Sequence, residues 1–312
     1  MKNFGFVKKI PKAVILVYLP LFLFIATLTI FASNKLINFW VLNNKLNDIP
    51  FKVSAEAKFP ILKTSFVPQI SAKGAIIMDA DSKVVLYSKN PDLRFSTAST
   101  AKIMTAITAL AFFKPGDILT VREASSEGSF IGLQQGEKMT FENLLYAMLL
   151  PSANDAALAI SQNYPGGETA FMAKMNENAK LFKLFNTHYE DPAGLEDPGD
   201  YTTPFDLARL ASFAVKNEEF KKIVATKEKI ITDVSGYNVY DLKNLNILLG
   251  VDGVDGVKTG YTQEAGEVLV TSVDEKGKTI IIVVMGSKDR FADTEKLLDL
   301  VSNNLTYLSI HP

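Results

Sequence analysis

The segment GAIIMDADSKVVLYSKNPDLRFSTASTAKIMTA, residues 74–106, contains two strand patterns followed by a helix pattern. Gly74–Ala80 and Val84–Ser88 are rich in apolar and β-branched residues and flank Asp81-Ser82, which predicts a β-hairpin. Apolar residues then recur at helical spacing over Thr100–Phe113, until a Pro-Gly pair ends the pattern. The segment therefore predicts a hairpin that leads directly into a helix.

The remainder of the chain adds a block of helices and then a second hairpin. Thr140–Leu150 opens on a threonine with an acidic residue in its first turn, which is typical of a capped helix. Glu267–Val273 and Thr279–Met285 are β-rich and predict two strands joined by a turn at Glu275-Lys276-Gly277. Further helices are predicted at 154–163, 168–184, 204–215 and 291–303. This order predicts an α+β fold, in which both chain ends complete one antiparallel sheet flanked by helices and interrupted by a helical insertion.

The composition is typical of a globular protein and argues against several classes of function. Hydrophobic residues make up 47% of the chain and charged residues 21%, which is typical of a protein with a substantial core. A formal net charge of -1 gives no sign of a nucleic-acid partner. The sequence has no cysteine and only two histidines, His188 and His311, which argues against thiolate or histidine metal sites. We predict no metal, no cofactor and a nucleophilic mechanism with a base other than histidine.

The N-terminus has the pattern of a membrane anchor. Four lysines within residues 1–12 precede an uncharged run over residues 13–33, which is long enough to cross a bilayer as a helix. The lysines place residues 1–12 in the cytoplasm. A cleaved signal peptide, with Ala32-Ser33 near the cleavage position, is the alternative. Residues 34–68 lack sustained periodicity and predict a membrane-proximal linker, so we expect a single-pass cell-membrane protein with an extracytoplasmic domain over residues 69–312.

Ser99-Thr100-Ala101-Lys102 is the first of three short motifs that bear on chemistry. If Ser99 begins a helix, Lys102 lies one turn later on the same face. A helix N-terminus favours developing negative charge, and a desolvated lysine loses its proton readily, so the pair suits a serine nucleophile with a lysine base. Taken alone, the motif is better explained by a helix cap and a solvated lysine, because about one or two S-x-x-K matches arise by chance in such a chain.

Ser152-Ala153-Asn154 lies between two predicted helices and is the second motif. A hydroxyl and an amide two residues apart on a loop can relay a proton and hold a substrate amide. The same S-x-N pattern begins at Ser88, Ser161 and Ser302, but only Ser152 follows an apolar helix and lies between the first and third motifs in a loop.

Lys258-Thr259-Gly260, in GVDGVKTGYT just before a predicted strand, is the third motif. Lysine and threonine together can bind a carboxylate, and Gly260 allows the backbone to approach a ligand closely. An ordinary glycine turn is the alternative for this motif alone. The combination of all three motifs in this order carries more weight, because it marks penicillin-binding proteins and serine β-lactamases.

The sequence resembles the D-alanyl-D-alanine carboxypeptidases of the low-molecular-mass penicillin-binding proteins, peptidase family S11. Besides residues 74–106, the similarity includes LLYAMLLPSANDAALAI, DPAGLEDPGDYTTPFDLARLA and GVDGVKTGYTQEAGEVLVTS, and it runs from about Pro68 to about Leu300. The resemblance implies the penicillin-binding and serine β-lactamase-like fold. It also implies removal of the terminal D-alanine from peptidoglycan stem peptides, with β-lactams as covalent inhibitors.

The resemblance implies a role for each matching residue in the first two motifs. Ser99 attacks the carbonyl group between two D-alanines and forms an acyl-enzyme. Lys102 accepts the serine proton and later helps to activate water. Ser152 passes a proton toward the leaving amine, and Asn154 orients the substrate amide.

The same resemblance implies that residues of the third motif, later in the chain, bind the substrate carboxylate. Lys258 and Thr259 bind and polarise the carboxylate side of the substrate, next to Gly260. The backbone N–H groups of Ser99 and Tyr261 form the oxyanion hole. Arg290, in GSKDRFADTEKLL, resembles a family arginine near the carboxylate, although a solvated surface arginine is the simpler explanation for one such residue.

Two features depart from the family pattern. Few residues follow Gly260, so we expect the sheet and last helix to be completed without a second β-rich domain, and the N-terminal segment to replace a C-terminal anchor. The family also often has a basic residue where this chain has Asn244-Leu245-Asn246. This second departure bears on substrate preference rather than on the core chemistry.

Three other functions compete with the carboxypeptidase. A D,D-endopeptidase that cuts peptidoglycan cross-links uses the same fold and motifs. A serine β-lactamase is a weaker alternative, because the deacylating E-x-x-L-N motif of class A enzymes is missing and the nearest glutamates, Glu190 and Glu196, are expected on a solvated loop. An inactive wall-binding homologue is disfavoured by the intact motifs.

Overall fold

The computed structural model of the protein describes residues 57–64, 66–195 and 199–310, and Lys58–Ile310 forms one compact unit. The strands in this part of the chain are β1 (Ala57–Leu62), β2 (Gly74–Asp79), β3 (Val85–Lys89), β4 (Phe95–Ser96), β5 (Ile118–Thr120), β6 (Lys138–Thr140), β7 (Tyr201–Thr202), β8 (Glu228–Thr232), β9 (Val239–Lys243), β10 (Val254–Thr262), β11 (Gly266–Glu275), β12 (Lys278–Ser287) and β13 (Leu305–Ile310). The α-helices are α1 (Ala101–Leu110), α2 (Phe141–Leu149), α3 (Asn154–Asn163), α4 (Gly167–Leu181), α5 (Pro204–Ala214), α6 (Glu218–Val224) and α7 (Arg290–Asn304). A 3-10 turn, Ala98–Thr100, leads into α1.

A five-stranded antiparallel sheet, in the order β10-β11-β12-β2-β3, forms the centre of the fold. The two predicted hairpins are both present, as β2 with β3 and β11 with β12. β12 pairs with β2, where Ile282 lies opposite Ile77, so the late strands join the early ones in a single sheet. The prediction of an antiparallel α+β fold built from both ends of the domain is therefore confirmed.

Both faces of this sheet are buried, and the alternating residues of β2 show how. Ile76 and Met78 belong to a core shared with the helical insertion, α1 to α6, whereas Ala75 and Ile77 belong to a core shared with α7. Successive side chains of a strand point to opposite faces, so one strand contributes to both cores. The insertion covers one face of the sheet and α7 covers the other.

Local sequence signals account for where several helices begin. Thr140 Oγ1 accepts a hydrogen bond from the backbone N–H of Asn143, 3.2 Å away, which caps α2 as predicted. Thr203 caps α5 in the same way, with Pro204 at the first helical position. The predicted helix at 168–184 ends earlier, at Leu181, because the chain reverses into a turn before residue 184.

The K-T-G motif differs from the sequence-based expectation. The sequence predicts Lys258-Thr259-Gly260 just before a strand, but the motif lies inside β10, at the edge of the sheet. Gly256 and Gly260 both fall within β10, and glycine is rare in strand interiors, so the strand pattern is masked. The sequence also does not predict α6 or the separate hairpin of β8 and β9.

The N-terminal boundary of the domain also differs. Strand β1 lies within residues 34–68, the predicted linker, and pairs with β13. The predicted tail and span, residues 1–12 and 13–33, lie outside the described residues. Within the described ranges, every helix is too short or too polar to cross a bilayer.

Candidate active site

Three segments meet beside the edge of the sheet: the turn Ala98–Thr100, the loop leading to Asn154, and β10. The close packing of Gly260 against the turn is the clearest contact. A Cβ atom on Gly260 would lie 3.2 Å from the Ala98 Cβ and 3.4 Å from the Ser99 backbone nitrogen. Glycine at this position therefore lets the strand that carries the K-T-G motif lie directly against the serine.

Lys102 connects these segments from a fully buried position in the first turn of α1. Its Nζ lies 3.0 Å from Ser99 Oγ, so the two residues are one turn apart on the same side, as the spacing predicts. The same Nζ lies 2.7 Å from Asn154 Oδ1 and 3.0 Å from the carbonyl oxygen of Ala193. Neither of these two oxygens can donate a hydrogen bond, so both must accept from the lysine.

The surroundings of Lys102 favour a neutral amine near neutral pH. Burial lowers the pKa of Lys102 to about 7, because the charged form loses its hydration. The negative charges of Asp191 and Asp155 act in the opposite direction and keep the pKa from falling further. A lysine with a pKa near 7 can accept a proton at physiological pH, which an ordinary lysine cannot.

Asn154 is held so that its amide oxygen faces the lysine. Its Nδ2 donates to the carbonyl oxygen of Glu127 at 2.8 Å, which leaves Oδ1 to accept from Lys102. Its backbone N–H donates to the carbonyl oxygen of Ser129 at 2.7 Å. The first residue of α3 is therefore fixed at both its side chain and its backbone.

Asp155 is a structural residue of the site that sequence reasoning assigned no role. Its buried carboxylate accepts hydrogen bonds from the backbone N–H groups of Ile131, Gly132 and Leu133, at 2.9–3.2 Å for the nearest oxygen. These bonds fasten the loop after Ser129 to the start of α3. Its place in the S-A-N-D run is the signal that could have identified it.

Ser152 occupies the loop between α2 and α3 in an unusual backbone conformation. Its φ angle is +69°, in the left-handed region that residues with a Cβ seldom adopt. The side chain is buried, and its Oγ has no hydrogen-bond partner among the residues that the structure describes. A buried hydroxyl held in a strained loop beside Asn154 is available to a bound ligand, and such strain is common at functional sites.

Lys258, in β10, is a second buried lysine with different neighbours. It is 2% exposed, and its Nζ donates to the carbonyl oxygen of Thr259 at 3.0 Å. Burial lowers the pKa of Lys258 well below its ordinary value, and the positive charges of Lys102 and Arg290 lower it further. Among the described residues, no carboxylate forms an ion pair with Lys258. This part of the site therefore favours an anionic ligand.

Arg290 begins α7 and reaches the same strand. Its Nη1 donates to the carbonyl oxygen of Gly260 at 3.0 Å, and its guanidinium lies 5.0 Å from the centre of the Phe291 ring. The structure thus brings Arg290 to the K-T-G strand rather than leaving it a solvated surface charge. Thr259 is buried beside Lys258, whereas the Tyr261 side chain is 65% exposed.

Two functional features come from a loop that the motifs do not include. The carbonyl oxygen of Ala193 is a direct partner of Lys102, and Asp191 contributes negative charge to the same lysine. Main-chain oxygens have no sequence signature, so Ala193 cannot be found by its residue type. Asp191 lies in the quoted DPAGLEDPGD segment, which is the only signal for it.

His188 and Glu190, two residues considered for alternative mechanisms, both have exposed side chains. His188 Nε2 is 3.9 Å from Glu190 Oε1 at the surface, so the one internal histidine pairs with a glutamate rather than with Ser99. Glu196 lies outside the described residues. In the part of the chain that the structure covers, no cluster of three or more His, Asp or Glu residues is arranged to hold a metal ion.

The sequence model of peptidase family S11, described as D-alanyl-D-alanine carboxypeptidase, matches residues 62–289. The chain belongs to this family. The match begins in β1 and ends just before α7, so it includes all three motifs.

Individual relatives agree with the family assignment. The D-alanyl-D-alanine carboxypeptidase DacF of Bacillus subtilis is 34% identical over 261 residues, which cover 80% of this chain and 67% of the relative. A D-alanyl-D-alanine endopeptidase of Escherichia coli is 30% identical over 258 residues, 80% of this chain and 83% of the relative. The family thus includes named carboxypeptidases and named endopeptidases at similar distances from this chain.

Solved structures show that the fold is shared. The crystal structure of a Streptomyces DD-transpeptidase matches with a TM-score of 0.71 and 35% identity, over 75% of this chain and 98% of that chain. The resemblance to the penicillin-binding-protein fold, inferred from the motifs, is therefore confirmed for the α+β domain.

Proposed function

We propose that this protein is a serine-type D-Ala-D-Ala carboxypeptidase that removes the terminal D-alanine from peptidoglycan stem peptides through an acyl-enzyme on Ser99. One observation supports the mechanism above all others. Lys102 Nζ lies between Asn154 Oδ1 and the Ala193 carbonyl oxygen, with Ser99 Oγ 3.0 Å away.

These contacts match the hydrogen-bonding capacity of a neutral lysine. A neutral amine has two N–H donors and one lone pair, and Asn154 Oδ1 and the Ala193 carbonyl take the two donors. The lone pair then faces Ser99 Oγ, whose hydroxyl group can donate to it. Because the pKa of Lys102 is lowered to about 7, this neutral form is well populated at neutral pH.

Acylation follows from this arrangement. Ser99 Oγ attacks the carbonyl carbon between the two D-alanines while its proton passes to Lys102. We assign the stabilisation of the oxyanion that develops to the backbone N–H groups of Ser99 and Tyr261. The packing of Gly260, the residue before Tyr261, against the serine turn supports this assignment. The carbon–nitrogen bond then breaks, and the ester on Ser99 remains.

The leaving amine needs a proton, and we assign its delivery to Ser152. Its buried Oγ lacks a partner in the described residues, and Ser152 lies two residues before Asn154, which contacts Lys102 directly. We assign Ser152 the transfer of a proton from Lys102 to the departing D-alanine. Lys102, neutral again, then removes a proton from water as it attacks the ester, and Ser99 Oγ regains its proton when the ester bond breaks.

The substrate carboxylate is assigned to the cationic end of the site. Lys258 is buried there and Arg290 is partly buried, and Thr259, also buried, follows Lys258 in β10. The positive charge of Arg290 favours a carboxylate ligand, and a bound carboxylate in turn favours the protonated form of Lys258. Asn154 is assigned to the substrate amide on the other side of the scissile bond.

The decisive test replaces the nucleophile. Ser99→Ala removes the attacking oxygen, and we expect it to abolish both labelling by fluorescent penicillin and D-alanine release from diacetyl-Lys-D-Ala-D-Ala. Ser88→Ala, in a different S-x-N sequence, is the matched control and should retain both. D-alanine release by Ser99→Ala at the wild-type rate would reject the mechanism. Rapid wild-type turnover of penicillin would instead indicate a β-lactamase.

An endopeptidase is the second candidate, because endopeptidases are among the relatives with similar identity. The two activities share the catalytic residues and differ in what lies beyond the scissile bond. Digestion of purified cross-linked and uncross-linked muropeptides by wild-type protein separates them. Release of D-alanine from pentapeptide stems, with cross-linked dimers left intact, is the outcome expected here. Conversion of dimers to monomers would favour the endopeptidase.

We further propose that residues 13–33 anchor the protein in the cell membrane. The extracytoplasmic catalytic domain then comprises residues 69–312 together with β1, which lies within the predicted linker 34–68. The lysines in residues 1–12 and the uncharged run support this orientation. Alkaline phosphatase fused after Pro312 should be active, and the protein should stay with membranes after a carbonate wash. Release into the soluble fraction, with cleavage near Ala32-Ser33, would indicate a signal peptide.

A further inference from the structure

Arg290, the first residue of α7, contacts two neighbouring strands of the central sheet through two different groups. Its backbone N–H donates to Glu267 Oε2 at 2.8 Å, and its Nη1 donates to the carbonyl oxygen of Gly260 at 3.0 Å. Glu267 belongs to β11, and Gly260 belongs to β10. The arginine is therefore held at its backbone by one strand and at the end of its side chain by the next.

The two contacts are one residue apart in the pairing of these strands. Tyr261 lies opposite Glu267, and Gly260 lies opposite Val268. Paired strands are about 4.8 Å apart, so both contacts of Arg290 fall within one short stretch of sheet. The position of the guanidinium beside the K-T-G strand therefore depends on where the start of α7 lies relative to β11.

The guanidinium of Arg290 keeps hydrogen-bond donors for a ligand. Glu267 accepts from the backbone N–H of Arg290, and among the described residues no carboxylate forms an ion pair with the guanidinium. Arg290 Nε is buried and has no hydrogen-bond partner in the part of the chain that the structure describes. Glu267 thus holds the arginine in place without occupying the charged group.

Two other acids hold α7, but on different sides. The carboxylate of Asp293, one turn into the helix, is 2% exposed. It accepts from the backbone N–H groups of Ser71 and Ala72 and from the hydroxyl of Ser287, at 2.6–2.9 Å. Asp289 caps the first turn of the helix. None of these contacts involves β10 or β11, so Glu267 supplies the link between the start of α7 and the strands beside the K-T-G motif.

The pairing of β11 with β12 is irregular at Glu267. Glu267 lies opposite Ser287, whereas Leu269 lies opposite Val284, so the register shifts between the two pairs. Irregularities of this kind change the direction of a side chain and are common next to active sites. The local backbone thus accompanies the contact between Glu267 and the helix that follows β12.

We propose that Glu267 is a positioning residue for Arg290: its carboxylate fixes the first residue of α7 against β11, so that the guanidinium reaches the Gly260 carbonyl at the carboxylate end of the site. The inference rests on the proposed assignment of the substrate carboxylate to Lys258 and Arg290. Glu267 acts through the arginine and not on the substrate. Without its hydrogen bond, the start of α7 loses its contact with β11, and the guanidinium loses its fixed place beside Gly260.

Three replacements of Glu267 in the full-length protein separate the hydrogen bond from the charge. Glu267→Gln keeps the length and an acceptor oxygen, Glu267→Asp keeps the charge but is one methylene shorter, and Glu267→Ala keeps neither. KM for diacetyl-Lys-D-Ala-D-Ala should rise about fivefold in the aspartate and alanine variants, with a smaller change in kcat, because one hydrogen bond is lost. The glutamine variant should stay within about twofold of wild type. A glutamine variant as impaired as the alanine variant would overturn the inference.

The same peptide with a C-terminal amide provides a readout that a general loss of stability would not move. The amide has no carboxylate for Arg290 to bind, so a displaced guanidinium costs nothing there. Wild type and Glu267→Ala should therefore hydrolyse the amide at similar rates. An equal penalty on the acid and the amide would show that Glu267 does not act through recognition of the carboxylate.

A double-mutant cycle tests whether Glu267 acts through Arg290. A residue that works only through the guanidinium loses its effect when the guanidinium is absent, and the cycle measures this coupling. Glu267→Ala should raise KM about fivefold in the wild-type background but less than about twofold in the Arg290→Gln background. The same factor in both backgrounds would reject the inference.

Asp274→Ala is the matched control. Asp274 also lies in β11, and its Oδ1 accepts from the backbone N–H of Gly277 at 3.0 Å, but at the opposite end of the strand. Its KM and its preference for the acid should remain those of wild type. If Glu267→Ala does not fold, the glutamine and aspartate variants decide.

The inference and the proposed function fail in different ways. D-alanine release by wild type, with an unchanged KM in both Glu267→Asp and Glu267→Ala, would reject the inference and leave the proposed function intact. A wild-type protein that neither releases D-alanine nor is labelled by fluorescent penicillin would reject the proposed function, and the inference with it.

Discussion

Lys102 and Lys258 are two lysines in one site, equally buried and yet surrounded very differently. Lys102 has two fixed acceptors, Asn154 Oδ1 and the Ala193 carbonyl, and two acids contribute negative charge to it. Lys258 has one backbone carbonyl as its partner and feels the positive charges of Lys102 and Arg290. Burial lowers the pKa of both, so burial alone does not distinguish their functions.

The neighbours make the distinction. Around Lys102 the acceptors use both N–H groups of a neutral amine and leave its lone pair toward the nucleophile, which is the arrangement of a base. Burial and the positive charges of its neighbours disfavour the protonated form of Lys258, and an anionic ligand beside it would favour that form. A lysine becomes a base or a carboxylate receptor according to the hydrogen-bond acceptors and charges that the fold places next to it.

The largest effect should come from removing the base. Lys102→Met keeps the length and apolar volume of the side chain but has no basic group, so the acylation rate should fall by about 10³-fold. Stopped-flow labelling with fluorescent penicillin measures this rate. Circular dichroism must show a folded variant, and acylation within tenfold of wild type would assign the base elsewhere.

A smaller and different loss is expected at the carboxylate end. Lys258→Ala should raise KM for diacetyl-Lys-D-Ala-D-Ala by about 10- to 100-fold, the size expected for a charged hydrogen bond, with a smaller change in kcat. The control is the same peptide with a C-terminal amide. Wild type and variant should hydrolyse this amide at similar rates, and an equal penalty on both substrates would show that Lys258 does not recognise the carboxylate.

The pH dependence sharpens the comparison further. The pKa of Lys102 is lowered to about 7, so the lysine is neutral and active above that pH and protonated and inactive below it. The acylation rate at pH 6 should therefore be about one-tenth of its plateau value. The same acid limb should persist in Lys258→Ala, apart from a modest upward shift if Lys258 carries charge. If the acid limb disappears in Lys258→Ala, the group that titrates is Lys258 and not Lys102, and the assignment of the base is wrong.

The smallest effect is expected from Arg290. Arg290→Lys keeps the positive charge but loses the planar group that donates to the Gly260 carbonyl, and KM should rise by about threefold. Arg290→Gln removes the charge as well, and KM should rise by about tenfold. Equal KM values for the two variants would show that charge contributes nothing at this position.

Much of the candidate site could be predicted from the amino-acid sequence. The order of the motifs around Ser99, Ser152 and Lys258 selects these residues from several chance matches, and helical spacing places Lys102 beside Ser99. Alternating apolar residues predict the hairpins of the central sheet, because side-chain periodicity in a strand is a local property. Strand β10 was not predicted, because two glycines interrupt its pattern of alternating residues.

The sequence alone determined the α+β domain and selected the side chains that we propose carry the chemistry, because residue type and local periodicity are properties of the chain itself. Only the tertiary structure decided that the Ala193 carbonyl accepts a hydrogen bond from Lys102, that Asp155 fastens the loop beside Asn154, and that Asp191 accepts hydrogen bonds from the backbone of the loop that carries Ala193. A backbone carbonyl has no residue identity, and the pKa of a carboxyl group depends on burial and on neighbours distant in the chain. The difference between Lys102 and Lys258 is therefore a property of the folded protein.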